Sequence, residues 1–211
     1  MKKGWNHRRR FWTRALLPGF ALLAGGCALL RPGADTTRFY LLTAAPPALT
    51  EETTAPGIEV TLGRVEVPRF LESPAMAVRV DSHELRFAGG HHWAEPLDRA
   101  VNRVLRDWLE ASPAVGRVVG YPARSAKTGA PEVRVSLIRA EGVALPEEPP
   151  RAEFEAAWEL FQGGESTGRR GRVERVDLPW DGVSHGQLAA SLSEGVETLA
   201  RAISLALEEW E

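Results

Sequence analysis

One residue in this chain has the type and setting for covalent chemistry. Cys27 is the only cysteine among 211 residues, so no disulfide can close within the chain and no Cys-rich metal site can form. The residues just before it, Ala24-Gly25-Gly26, are small enough for an extended backbone to enter a peptidase cleft without a side-chain clash. Other chemical candidates are thin. His91-His92 is the only adjacent histidine pair, but neighbours on a strand face opposite ways, and no helix gives either one an acidic or histidine partner four residues on. Glu51-Glu52 and Glu147-Glu148 sit in proline-rich loops, a setting that suits solubility better than acid–base work. The chain has no His-Glu-x-x-His pair or Gly-x-x-x-x-Gly-Lys phosphate loop. The expectation is a protein that is not an enzyme and binds neither metal nor cofactor.

The surroundings of Cys27 give its thiol a purpose. Residues 1–26 have the layout of an export signal: a basic stretch to Arg14, the apolar segment Ala15–Leu23, then the small residues. The apolar part is about ten residues, short of the roughly 20 that a membrane-spanning helix needs. Leu23-Ala24-Gly25-Gly26-Cys27 resembles the bacterial lipobox, in which the thiol receives a diacylglycerol before cleavage between Gly26 and Cys27. That resemblance implies an S-diacylglycerol and an N-acyl chain such as palmitate on Cys27, more than the two signals stable anchoring requires. It also implies the outer membrane, facing the periplasm, because Ala28 and not Asp follows the cysteine. Arg8-Arg9-Arg10-Phe11 fits the core of a twin-arginine signal and equally a plain basic stretch.

Charge excludes one class of partner. The formal net charge is -2, but six basic residues and no acid precede Cys27, leaving 20 basic against 28 acidic residues, about -8, from there on. A nucleic-acid binder wants a concentrated basic face instead. The run Arg169-Arg170-Gly171-Arg172 is flanked by Glu165, Glu174 and Asp177 and reads as a solvated strand or loop face.

The elements that follow are legible by period. Residues 27–37 read as a lipidated tether, which spans at most about 35 Å fully extended, and 38–211 as the folded domain. Arg38–Leu42 is a short strand. Ile58, Val60 and Leu62 alternate with polar residues, and Val65 and Val67 resume the alternation out of phase across Gly63, the signature of a bulge. Met76, Val78 and Val80 lead through Asp81-Ser82 into Leu85 and Phe87, an antiparallel hairpin that Gly89-Gly90 closes at its far end. A helix opens at Pro96 with Leu97, Ala100, Val101, Val104, Leu105, Trp108 and Leu109 as its apolar stripe. Strands are expected at Val115–Tyr121, Glu132–Ile138, Glu153–Phe161 and Arg170–Leu178, and a last helix over Gln187–Trp210. The sum is an α+β fold: a single two-layer domain, a mostly antiparallel or mixed sheet packed by two amphipathic helices.

Three blocks carry a family resemblance: Phe39-Tyr40-Leu41-Leu42, then Val67-Pro68-Arg69-Phe70-Leu71, then Trp93-Ala94-Glu95-Pro96-Leu97. At this spacing they resemble the ABC-type transport auxiliary lipoproteins, the PqiC-like family, with Phe39 standing where the family more often has a tyrosine. The resemblance implies a non-catalytic docking subunit of an MCE-type ABC phospholipid transport system between inner and outer membranes. Its partner would be the periplasmic MCE protein, and a homo-oligomeric ring is one arrangement it allows. A lipoprotein regulator of a peptidoglycan synthase is the alternative function. Trp93, Glu95 and Pro96 also have a plain structural role, with Glu95 favourable to the helix dipole and Trp93 packed over the hairpin. Surface for docking is expected in the loops near 69–75, 89–93 and 143–152.

Overall fold

A computed structural model describes residues 35–43, 45–46, 57–121 and 129–210, with the side chains of 174–175 excepted. The chain divides into two compact units, Met1–Thr36 and Thr37–Glu211. The second is an α+β unit built on one mixed sheet.

Among the described residues eight strands make that sheet: β1 (Arg38–Tyr40), β2 (Ile58–Glu66), β3 (Ala75–Asp81), β4 (Glu84–Trp93), β5 (Val115–Gly120), β6 (Glu132–Val143), β7 (Arg151–Gln162) and β8 (Glu165–Pro179). β6 is the spine. Along one edge it runs antiparallel to β7, and β8 continues beyond β7. Its other edge is shared: the first half pairs parallel with β2, and Gly142–Val143 pairs parallel with β3. A bulge between Leu137 and Arg139 marks the changeover. The β3–β4 hairpin then carries β1, parallel to β4, while β5 lies parallel along β2.

The phase slip at Gly63 is a real bulge, since the β2–β6 register shifts between Leu62 and Val65. One extra residue there keeps Val60, Leu62 and Val65 all buried and leaves Arg64 and Glu66 exposed. Gly89-Gly90 does not close the hairpin as expected. The turn lies at Ser82–His83, and β4 runs on through both glycines to Trp93 because β1 offers its last residues a partner. For the same reason 89–93 is strand and not loop, and 69–72 is a short 3-10 turn.

Helix α1 (Leu97–Glu110) buries the seven apolar residues its period marks, and α2 (His185–Glu208) buries Leu188, Leu192, Val196, Leu199, Ile203 and Leu207. α1 covers β2 and β5, α2 covers β6 to β8, and the helices touch each other. Both therefore share one sheet face with Val133, Val135, Leu137, Phe154 and Leu160. Gly195 is what lets α2 sit down on the sheet. A Cβ there would stand 2.6 Å from Phe154 Cβ. No helix among the described residues is long and apolar enough to cross a membrane.

The opposite sheet face is charged. Alternation along β7 puts Phe154 inward and Glu153 and Glu155 outward, yet both glutamates are buried, as is Glu141 on β6. Guanidinium groups cover them. Glu141 accepts from Arg79 Nε at 2.8 Å and Arg139 Nη1 at 3.3 Å, and Glu153 pairs with Arg151 at 2.8 Å. Glu155 takes Arg139 at 3.3 Å and Arg172.

Candidate functional site

The three sequence blocks, far apart in the chain, meet where the leading strand joins α1. Tyr40 stands opposite Trp93 in the β1–β4 ladder, and the Ala94 N–H donates to the Tyr40 carbonyl at 2.8 Å. Trp93 is buried and its N–H donates to the Pro74 carbonyl at 2.7 Å. Pro68, Phe70 and Leu71 belong to the 3-10 turn, with the Leu71 N–H donating to Pro68 at 2.8 Å. Leu71 is buried, Val67 and Phe70 pack against the same core, and Val67, Leu71, Pro96 and Leu97 border one shallow cleft.

Glu95 does more than precede a helix. Its Oε1 accepts from Arg103 Nη2 at 2.7 Å and Nε at 3.0 Å, and the same Nη2 reaches the Leu42 carbonyl at 2.9 Å. Pro96 is the residue that caps α1, and its carbonyl accepts the first helical amides, Arg99 at 2.9 Å and Ala100 at 3.0 Å. Leu42 is 1% exposed, and the Thr43 N–H donates to Ser193 Oγ of α2 at 3.0 Å. The leading strand is thus tied to β4, to α1 and to α2 at once. Its alternate side chains point the other way: Phe39 and Leu41 are 66% and 52% exposed.

A second feature of this hub is a stack of rings. Tyr40 Oη lies 2.8 Å from His91 Nδ1, and the His91 and His185 rings stack with centroids 3.8 Å apart. Phe39 meets His92 edge-on. Burial, and then the neighbouring His91, push the His185 imidazole below its ordinary value. Parallel rings at this spacing turn their nitrogens away from a common point, so they do not form a ligand pair. Among the described residues no group of three or more His, Cys, Asp or Glu is placed to hold a metal ion. The sequence pair His91-His92 hid the residue that matters, because His185 comes from α2 and carries no local signal.

Cys27 and Gly26 lie outside the described residues, as does the Glu51-Glu52 pair. Glu148 pairs with Arg151 at 2.6 Å. Of the basic run, Arg169 donates to the Glu209 carbonyl at 2.6 Å and so satisfies the end of α2, while Arg172 covers Glu155.

A family model for the ABC-type transport auxiliary lipoprotein component matches residues 40–204, most of the folded unit. The chain belongs to that family. No curated protein sequence matches it. Among solved structures, a Xanthomonas campestris protein of the DUF330 family has 15% identity and a TM-score of 0.65, covering 80% of this chain and 93% of that one. An uncharacterized protein has 16% identity and a TM-score of 0.61, over 81% and 98%. At such identities these likenesses concern the fold alone. A PelC dodecamer from Paraburkholderia phytofirmans is more distant, with a TM-score of 0.46, 12% identity, and 80% and 95% covered. As a member of the auxiliary lipoprotein family the chain is a transport accessory component, and its matched region begins at Tyr40.

Proposed function

We propose that this protein is a non-catalytic docking subunit of an MCE-type ABC phospholipid transport system, anchored in the outer membrane and facing the periplasm. Acyl chains on Cys27 hold it there, after cleavage between Gly26 and Cys27 removes residues 1–26. Its partner is the periplasmic MCE protein, which it meets as a single copy or as a homo-oligomeric ring. Membership of the auxiliary lipoprotein family is the observation that carries this reading. The hub around β1 supports it in physical terms. Any force applied through an N-terminal anchor enters the body at Arg38–Thr43, the segment bound to β4, α1 and α2 together.

The test is a pull-down of the lipidated full chain from envelope extracts of its own host, with mass spectrometry of its N-terminus. Recovery of MCE and ABC components and a triacylated Cys27 is the expected result. A peptidoglycan synthase recovered in their place would move the protein to the wall-regulator reading. An unmodified thiol would remove the anchor.

A further inference from the structure

Along the solvent side of α1 runs a groove of about 530 Å³ that closes against the bulge of β2 and the end of β5. Arg99, Arg103 and Arg106 line it from the helix, Arg64 from the bulge, and Tyr121 from beyond β5, with Asp98 the one acid. Spacings of four and three put the helical arginines on one stripe, about 10 Å from first to last. Asn102 locks the two walls together, donating from Nδ2 to the Gly63 carbonyl at 2.8 Å.

Only Arg103 of the four is committed, to Glu95 and Leu42. Arg64, Arg99 and Arg106 have no carboxylate partner among the described residues. Arg106 is half-buried, and its Nη2 lies so close over Gly120 that a Cβ there would stand 2.5 Å away. On the outer sheet face, by contrast, arginines are matched to buried glutamates. A half-buried cation left unmatched, with exposed Arg99 on the same wall and exposed Arg64 on the other, is costly unless an anion joins it.

The shape of that anion follows from the donors. Guanidinium donors reach the groove from two walls, a helix and a strand. A carboxylate offers two coplanar oxygens, whereas a tetrahedral phosphate accepts in several directions at once. We infer that this groove binds a phosphate-bearing group, as a free phosphate ester or as the headgroup of a phospholipid. The inference stands on these side chains and does not need the anchor at Cys27.

The experiment titrates the full chain in neutral detergent micelles with inorganic phosphate, glycerol 3-phosphate and short-chain phosphatidylglycerol, read by calorimetry. Saturable binding of at least one is expected, weakening with salt. Arg64→Gln, Arg99→Gln and Arg106→Gln should each lower affinity about three- to tenfold. Gly120→Ala, which displaces the Arg106 tip and keeps its charge, should fall in the same range. Arg86→Gln, on the hairpin, should match the parent protein. Equal affinity for glycerol 3-phosphate and the lipid identifies the phosphate ester as the ligand, and preference for the lipid identifies the headgroup in its membrane setting. No saturation with any of the three, binding undiminished in the triple arginine variant, or binding of a polyglutamate peptide alone would each overturn the inference.

Discussion

Leu42 offers the sharpest test of the leading strand as a clamp. Its side chain is 1% exposed two residues beyond a strand of only three residues. Core leucine-to-alanine changes cost about 2–5 kcal/mol, and least where the surroundings can relax. At the margin of the body the lower part of that range applies, about 2–3 kcal/mol, which raises the opening constant about 30- to 150-fold. Two amides report it directly: Ala94, whose N–H donates to the Tyr40 carbonyl, and Thr43, whose N–H donates to Ser193 Oγ. Hydrogen exchange of Leu42→Ala should show both accelerated by that factor. Arg103→Ala removes a guanidinium that is 41% exposed, so screening limits its effect to about three- to tenfold. Leu205→Ala, at a site 62% exposed on α2, should change neither amide. An acceleration below about threefold in Leu42→Ala, or a larger effect from Arg103→Ala, would refute the view that apolar burial holds the strand.

Three further perturbations probe the body. Gly195→Ala should destabilise by about 1–2 kcal/mol in urea, since the clash with Phe154 outweighs the roughly 1 kcal/mol an alanine ordinarily gains in a helix. A gain in stability would mean that α2 can shift. Burial holds the His185 imidazole below the ordinary histidine value of about 6.5, so the unfolded chain binds more protons and stability should fall as pH drops below about 6.5. His185→Phe keeps a stacked ring and should flatten that slope between pH 7 and 5. Glu141→Ala leaves Arg79 without its buried partner and takes one of three buried carboxylates from Arg139, and should cost about 3 kcal/mol. Glu84→Ala at the exposed hairpin pair should stay within about 0.5 kcal/mol by the same urea assay.

Periodicity made the core of this fold readable. The stripe of α1 and the inward faces of β2 and β7 follow from spacing alone, because one-sided burial imposes a strict period on a helix or a strand. Even the bulge at Gly63 left a trace, as the alternation changes phase there. What periodicity could not give is pairing between elements distant in the chain. The parallel partnership of β1 and β4 depends on contacts about 50 residues apart, so Gly89-Gly90 read locally as the end of the hairpin. The stack of His91 on His185 joins β4 to α2, and no local pattern encodes it. The buried glutamates on the outer face look like solvated positions in sequence. Their burial comes from arginines on β3, β6, β7 and β8, which only the folded sheet assembles.

That outer face bears on where a partner can sit. A sheet with helices on one side must leave the other to solvent, to an apolar partner, or to its own side chains. Here Glu141, Glu153 and Glu155 are already matched by guanidinium groups, so the face completes itself. A partner seated there would strip water from Arg139 and Arg172 and offer no unmet carboxylate in exchange, a poor balance of desolvation against Coulomb gain. The exposed apolar side chains point elsewhere. Phe39 and Leu41 face away from the core on the very segment whose other side is clamped by Tyr40 and Leu42. Docking at that strand, beside the proposed tether, would cover apolar surface without breaking an ion pair, and protection of Phe39 and Leu41 in the captured complex is the sign to look for.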